Sequence, residues 1–419
     1  MDLALANRLV GPQGRPALLA AAAEADPDSL GAATRLRAHF DNELSAAALT
    51  QVTLRRRAVT KFGPPAAMLF FTTEALQQAS RPRVSQWRAD RMAAAAGAGG
   101  TVLDLGCGIG ADALALARAG MAVVAVERDP ATAVFAAANL ATADGTVVVR
   151  VGDAQTLGPA LLDADRSAGV FCDPARRDDR GRVWRVDQFS PGWDFVTSLL
   201  DGSRPAVVKL GPALPHALIP DGVEAEWVSH QGDVVEVALW AGGDARPGAR
   251  VATLLDATGS PVGQAEQCVR VGPAPRLPVT EVRSYLHEPD GAAIRAGVLS
   301  TIGAACGASL IDAKIAYLTS DRATGSPWLS DFAVIEVLPL ADKVIRQWLS
   351  ARRIGTVEIK KRGVDLDPPA LRRRLKLSGP ESVSLIVSRT PSGTVAVMAH
   401  RVPRPIDPAA DDGGTHRPD

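Results

Sequence analysis

Apolar and polar positions divide the chain into stretches of different period. Residues 17–25, 30–42 and 44–58 are Ala- and Leu-rich and read as helices, broken by Pro27 and Asp28. From Val102 short apolar runs alternate with helical ones: 102–105, 121–126, 146–151, 169–172 and 206–210 predict strands, and 113–119 and 130–140 predict helices. Residues 226–230 and 234–240 predict a closing hairpin around Gln231-Gly232-Asp233. Strands that alternate with helices predict a parallel sheet covered on both faces. Glycine and proline are frequent over 241–278, which reads as a connector with a short strand, and a helix is expected from Gly291. Beyond 332 the order is strand 333–338, amphipathic helix 342–351, strand 356–359, helix 368–375, then strands 383–387 and 395–400. That β-α-β-α-β-β order looks like a small ferredoxin-like α+β domain. The expected organisation is a helical segment over 1–65, an α/β domain over 66–242, a connector with short strands and a helix over 243–330, an α+β domain over 331–402 and a disordered tail over 403–419.

The most informative stretch is Asp104-Leu105-Gly106-Cys107-Gly108-Ile109-Gly110, at the end of the first parallel strand. A strand, a glycine turn, a helix and a second strand ending on Glu127 form a nucleotide-binding βαβ unit. The glycines allow a tight turn and a close ligand approach. An acid about twenty residues beyond the turn can bond a ribose diol. The dinucleotide pattern fits literally with Gly106, Gly108 and Ala111. Asp104 argues against it, because a carboxylate there would face a pyrophosphate. It suits a ligand with a sulfonium and an amino group. The stretch resembles motif I of the class I S-adenosylmethionine (SAM) methyltransferases.

That resemblance implies a Rossmann-like seven-stranded methyltransferase domain and SAM as cofactor. Asp104, Gly106, Gly108 and Gly110 would hold the methionine end, Glu127 the ribose and Asp153, after the third strand, the adenine. As a lone residue, Asp153 would more often be a helix cap. Cys172-Asp173-Pro174-Ala175-Arg176-Arg177 resembles motif IV of base-modifying enzymes, which implies that Asp173, stiffened by Pro174, orients the methyl acceptor. Ala175 departs from the second proline of that motif, and no aromatic follows to stack on a base. Residues 68–92, just upstream of motif I, resemble a lead-in that closes over the cofactor in some RNA methyltransferases; plain packing against the sheet is the alternative. Lys209 at the tip of the fifth strand is expected to be solvated or to face the acceptor pocket. Cys172 as a nucleophile and His287 as a general base have no visible helper in the sequence.

Lys and Arg together number 46, as do Asp and Glu, so any nucleic-acid surface must be a local patch. Arg176 and Arg177, with Arg180, Arg182 and Arg185, could grip phosphates, and Trp184 and Trp193 could stack on bases. Arg55-Arg56-Arg57 with Lys61 form a further basic cluster, readable as a solvated helix face or an RNA contact. Lys360, Lys361, Arg362, Arg372, Arg373, Arg374 and Lys376 form a dense basic region in the last domain, which resembles a THUMP-like domain. Such a patch suits phosphates. The four cysteines form no C-x-x-C pair and have no ligand histidines nearby, so no metal is expected. Met1-Asp2 opens without a basic run, and 18–23 is too short to span a bilayer, so a reduced cytoplasmic location is expected.

The sequence reading is therefore a SAM-dependent methyltransferase acting on a base in structured RNA, tRNA or rRNA. Alternatives are a small-molecule or protein methyltransferase, an RNA-binding module with a vestigial SAM site, and a dinucleotide oxidoreductase. The sequence leaves the acceptor atom and the oligomeric state open.

Overall fold

The computed structural model describes residues 1–97, 99–143, 145–176, 186–268 and 276–403; of Arg176, Gln267 and Cys268 it describes the backbone alone. Arg177, Arg180, Arg182, Trp184 and Arg185, and the expected tail from 404, lie outside the described residues. The chain divides into two units, Met1–Ala225 with Glu236–Gly248, and Glu226–Val235 with the chain from Ala249 onward.

The first unit begins with helices α1 (Leu3–Val10), α2 (Gly14–Ala22), α3 (Leu30–Arg37) and α4 (Asn42–Phe62). Asp41 caps α4 by accepting from Leu44 N–H at 2.9 Å, which satisfies a donor left free at the helix start. Then come α5 (Thr73–Gln78) and α6 (Pro82–Ala96). The alternating part follows: β1 (Thr101–Leu105), α7 (Ala111–Arg118), β2 (Ala122–Glu127), α8 (Pro130–Leu140), β3 (Val147–Val151), α9 (Ala154–Ala164) and β4 (Gly169–Cys172). Two short strands, β5 (Ala175–Arg176) and β6 (Phe189–Ser190), pair antiparallel, and α10 (Trp193–Ser198) leads to β7 (Ala206–Leu210). The parallel order is β7-β4-β1-β2-β3, with β8 (Glu224–His230) and β9 (Asp233–Ala241) supplying the expected final hairpin and β9 running antiparallel to β7.

This is the Rossmann-like methyltransferase fold. Every residue of β4 and of β7 is buried, as expected for central strands covered on both faces. The N-terminal helices join the same core, in which Leu9 and Ala6 cluster with Ala131 and Phe135 of α8. Burying a side chain such as Phe135 contributes about 1.5–3 kcal/mol.

In the second unit β10 (Ala249–Leu255) and β11 (Pro261–Cys268) pair antiparallel. Then come β12 (Tyr285–Pro289), α11 (Gly291–Arg295), α12 (Leu299–Ala305), β13 (Ser309–Asp312), β14 (Ile315–Ser320) and β15 (Leu329–Pro339). The expected strand–helix order completes the unit as α13 (Asp342–Ala351), β16 (Ile354–Arg362), α14 (Pro368–Leu375), β17 (Glu381–Thr390) and β18 (Gly393–Arg401). These strands form one sheet in the order β13-β14-β12-β15-β18-β17-β16.

The stretch 243–330, expected as a connector with short strands and a helix, supplies strands to this sheet. Three strands from that stretch belong to the same sheet as the last domain, and β12 pairs directly with β15. One face buries Ile345, Trp348, Leu349, Leu371 and Leu375 of α13 and α14. The other buries Leu286, Ile311, Tyr317 and Phe332.

Candidate functional site

A cleft of about 320 Å³ opens at the carboxyl edge of the parallel strands, where α/β folds bind ligands. The sequence-selected residues Asp104, Gly106, Gly108, Glu127, Asp153 and Asp173 all line it. Gly110 stands behind at the start of α7, with a φ of 81° that disfavours any side chain. A Cβ there would also sit 3.0 Å from Leu140. Asp173 and Ala175 line the cleft, and Pro174 between them is buried.

The glycine turn is tied to the neighbouring strand. Gly106 N–H and Cys107 N–H both donate to Val126 C=O at 2.9 Å. Glu127 accepts from Gly108 N–H at 2.9 Å and from Asp129 N–H at 2.8 Å. Asp153 caps α9, accepting from Gln155 N–H at 2.8 Å and Thr156 N–H at 3.3 Å, and still borders the cleft.

Asp104 is the anomaly. It is 0% exposed, and neither carboxylate oxygen has a hydrogen-bond partner among the described residues. Burial, then the nearby charges of Asp112, Asp173 and Glu127, push its pKa well above the usual carboxylate range. An unpartnered buried carboxylate costs on the order of 1–3 kcal/mol or more, so a ligand that supplies cationic donors fits it. The ammonium and sulfonium of SAM are such groups.

Asp173 follows β4 and is ion-paired with Lys209. The reading of Lys209 as a solvated lysine is corrected: it is 9% exposed. Burial works against its charge, but Asp173 and Asp112 outweigh this and raise its pKa. Beneath the cleft Arg88 of α6 pairs with Asp112 of α7 and with Glu236 of β9. Arg88, Asp112 and Glu236 were not legible as site residues, because 148 residues separate Arg88 from Glu236. The only signal was the mixture of charges among otherwise apolar positions.

α5 and its cap Thr72 reach the cleft, which Thr72, Glu74, Ala75 and Gln78 line. No residue of α5 is buried. Its approach is held by side-chain amides: Gln51 bonds both main-chain groups of Phe71, at 2.6 and 3.0 Å, and Asn139 does the same for Phe70.

Other candidates have structural partners. Arg55 donates to Leu69 C=O, Arg56 to the carbonyls of Ala22, Glu24 and Ala25, and Lys61 to those of Leu76 and Gln77. This cluster therefore ties helices and loops together. Cys172 is fully buried, and burial raises its pKa, which keeps it an unreactive thiol. Trp193 packs against Phe189 at 5.4 Å. His287 is 0% exposed and lies between Asp331 at 2.7 Å and Ser320 at 2.8 Å. It has partners after all, but no route to solvent for a substrate.

The basic region of the second unit is divided. Lys360 pairs with Glu288 at 2.6 Å, and Arg362 stacks over Tyr317 and donates to Ala316 C=O. Lys361 alternates to the other face of β16 and is exposed. Arg372, Arg373 and Arg374 are exposed on the last turn of α14; Arg374 pairs with Asp342 at 2.7 Å. Among the described residues no helix is long and apolar enough to cross a membrane, and no group of three or more His, Cys, Asp or Glu could hold a metal ion.

Comparison with known proteins agrees with this architecture. A family model described as a methyltransferase domain matches residues 103–172, and one described as THUMP domain-like matches 329–401. A domain of unknown function matches 2–58. A crystal structure of a candidate methyltransferase from Porphyromonas gingivalis W83 superposes with a TM-score of 0.76 at 22% identity, covering 96% of this chain and 100% of that one. An uncharacterized S-adenosylmethionine-dependent methyltransferase of Mycobacterium tuberculosis, found in strains CDC 1551 and H37Rv, is 35% identical over 364 residues, covering 84% of this chain and 95% of the relative. The motif I turn, the strand order around it and this relative along most of its length place the chain in the S-adenosylmethionine-dependent methyltransferase family, with a THUMP-like domain at its C-terminal end.

Proposed function

We propose that the cleft binds SAM through Asp104, Gly106, Gly108, Gly110, Glu127 and Asp153, and that the methyl acceptor is a base in structured RNA. The orphaned carboxylate of Asp104 carries the cofactor part of this reading. It would take the cationic methionine end, with Glu127 toward the ribose and Asp153 toward the adenine. When bound, SAM supplies a methyl group on a positively charged sulfur, so the protein has to hold and align donor and acceptor rather than create a leaving group. Asp173, at the cleft wall on the stiff Asp-Pro turn, would orient the acceptor.

The RNA part is supported by the charge on α14. Arg372 and Arg373 are exposed and have no partner among the described residues, in a chain whose overall charge is zero. Concentrated, unpaired arginine is suited to phosphate. Arg176 and Arg177, just past Asp173, and Lys361 would add to the contact; Lys360 and Arg362 would contribute only from the opposite face of β16.

Titration with SAM and with NADH, followed by transfer of a tritiated methyl group to total RNA from a strain lacking the gene, tests both parts. SAM binding with label in RNA is the expected outcome. SAM binding with unlabelled RNA would reject the RNA acceptor, and preferential NADH binding would reject the cofactor assignment.

A further inference from the structure

Strand register brings Lys209 beside Asp173. Cys172 of β4 lies opposite Val208 of β7 in the parallel ladder, so the next residue on each strand, Asp173 and Lys209, emerges at the same edge of the sheet. The two side chains are in contact through Asp173 Oδ2 and Lys209 Nζ. The carboxylate keeps side-chain exposure of 30% toward the cleft, against 11% for the lysine behind it. A carboxylate has about four acceptor sites. Lys209 occupies one oxygen, and no other described residue bonds Asp173.

We propose that Lys209 is a positioning residue for methyl transfer: its ammonium fixes Asp173 by one oxygen and leaves the other facing the cleft, where it accepts a hydrogen bond from an N–H or O–H of the methyl acceptor. This rests on the reading of Asp173 as the acceptor-orienting residue. The acceptor class that follows is a group with a donor at or beside the methylated atom, such as a base amine or ring N–H. A thioether or carboxylate acceptor offers no such donor.

The surroundings favour this role over plain packing. Around Lys209 stand Asp173, Asp112 and Glu236, opposed by Arg88, so the lysine remains charged and cannot serve as a base. Buried ion pairs seldom add stability over an apolar core of the same volume, because desolvating each ion is expensive. A lysine kept charged here therefore needs a reason beyond the fold, and the carboxylate that it holds borders the reaction cleft.

The test compares K209M, K209R, D173N and the double variant K209M/D173N, with SAM and the same total RNA as probes. SAM affinity is expected to stay within about twofold in K209M, and methyl transfer to fall by about tenfold or more, with partial recovery in K209R. The double variant should be no slower than the slower single one, since groups acting as a unit are not additive. Additive losses, or full transfer in K209M, would overturn the proposal. If K209M does not fold, K209R and D173N carry the same comparison through their double variant.

A second readout needs no acceptor. In protein labelled with ¹⁵N-lysine, a buried, ion-paired Lys209 should give a slowly exchanging ammonium signal that broadens or shifts in D173N. A signal indifferent to D173N would overturn the proposal even if total RNA accepts no label; absence of label with the expected signal would reject the RNA reading alone.

Discussion

Asn139 completes the main-chain hydrogen bonding of Phe70. Phe70 N–H donates to Asn139 Oδ1 at 2.7 Å, and Asn139 Nδ2 donates to Phe70 C=O at 3.0 Å. The same amide nitrogen donates to Ile109 C=O in the glycine turn at 2.9 Å. One buried side chain on α8 thus ties the glycine turn to the segment that delivers α5 to the cleft. Gln51 of α4 does the same for Phe71, which gives the N-terminal helices a part in shaping the site.

Replacing Gln51 by leucine leaves two main-chain groups of Phe71 without partners, at a cost of about 1–3 kcal/mol each. Because α5 buries no residue of its own, the loss should loosen residues 69–79 before the core. The expected result for Q51L is SAM affinity weakened by about tenfold, equivalent to about 1.4 kcal/mol. Hydrogen exchange should quicken over 69–79 while β1 and β4 keep their protection. Unchanged exchange in that segment would sever the link between α4 and the cleft.

Asp104 predicts a proton released on cofactor binding. A carboxyl with a raised pKa in the folded chain holds its proton more tightly there than when unfolded. Its contribution to stability therefore falls as pH rises from the usual carboxylate range toward the raised value. A cationic ligand favours the ionised form, so uptake of SAM should expel a proton and tighten as pH rises. Calorimetric titration over a pH series upward from the usual carboxylate range, in two buffers of different ionisation heat, should show the release in the wild type and none in D104N. D104N should also bind SAM at least about tenfold more weakly, and should flatten the decline of apo stability with pH. Equal heats in both buffers for the wild type would mean that Asp104 is already ionised.

The parts of this site that were legible in the sequence are local. The glycine turn, Asp104 and Glu127 lie within one βαβ unit, where spacing alone fixes their relation. What was hidden depends on contacts between distant segments. Nothing near Lys209 distinguishes a solvated lysine from a buried one until the register of β4 and β7 sets it beside Asp173. Arg88, Asp112 and Glu236 meet only because α6, α7 and β9 converge under the cleft. The basic run Lys360-Lys361-Arg362 looked like one patch, yet strand alternation sends its members to opposite faces. Arg55 to Arg57 were ambiguous for a related reason: a guanidinium that caps carbonyls and one that grips phosphate are identical residue by residue.

The buried pair of His287 and Asp331 predicts a loss of stability in acid. Burial raises the pKa of Asp331, but hydrogen bonds from His287, Gly325 and Thr324 outweigh it and leave the pKa lowered. A carboxyl with a depressed pKa contributes stability that is fully present above its unfolded value and is lost as pH falls through the folded one. D331N removes a charged acceptor from Thr324 N–H at 2.7 Å and Gly325 N–H at 3.1 Å, besides the histidine. Thermal unfolding of D331N should show a cost of about 1.5–3 kcal/mol near neutral pH, the scale for a hydrogen bond to a charged group. That gap should shrink below the usual carboxylate range. A gap independent of pH would assign the loss to packing.

The two faces of the basic region allow a direct test of where RNA sits. If α14 carries the contact, replacing Arg372, Arg373 and Arg374 together with alanine removes up to three phosphate contacts. Each contact contributes about 0.7–0.9 to the slope of log affinity against log salt, so the slope should flatten by about two. Replacing Lys360 and Arg362 instead should leave the slope nearly unchanged, because Glu288 and the carbonyl of Ala316 already engage them on the other face. That second variant should lose fold stability rather than affinity, since both cations also lie over the buried rings of Phe332 and Tyr317. Filter binding of total tRNA over a range of salt, beside thermal unfolding of both variants, separates the outcomes. A slope that responds to the strand pair but not to the helix trio would move the RNA surface to the opposite face of the sheet.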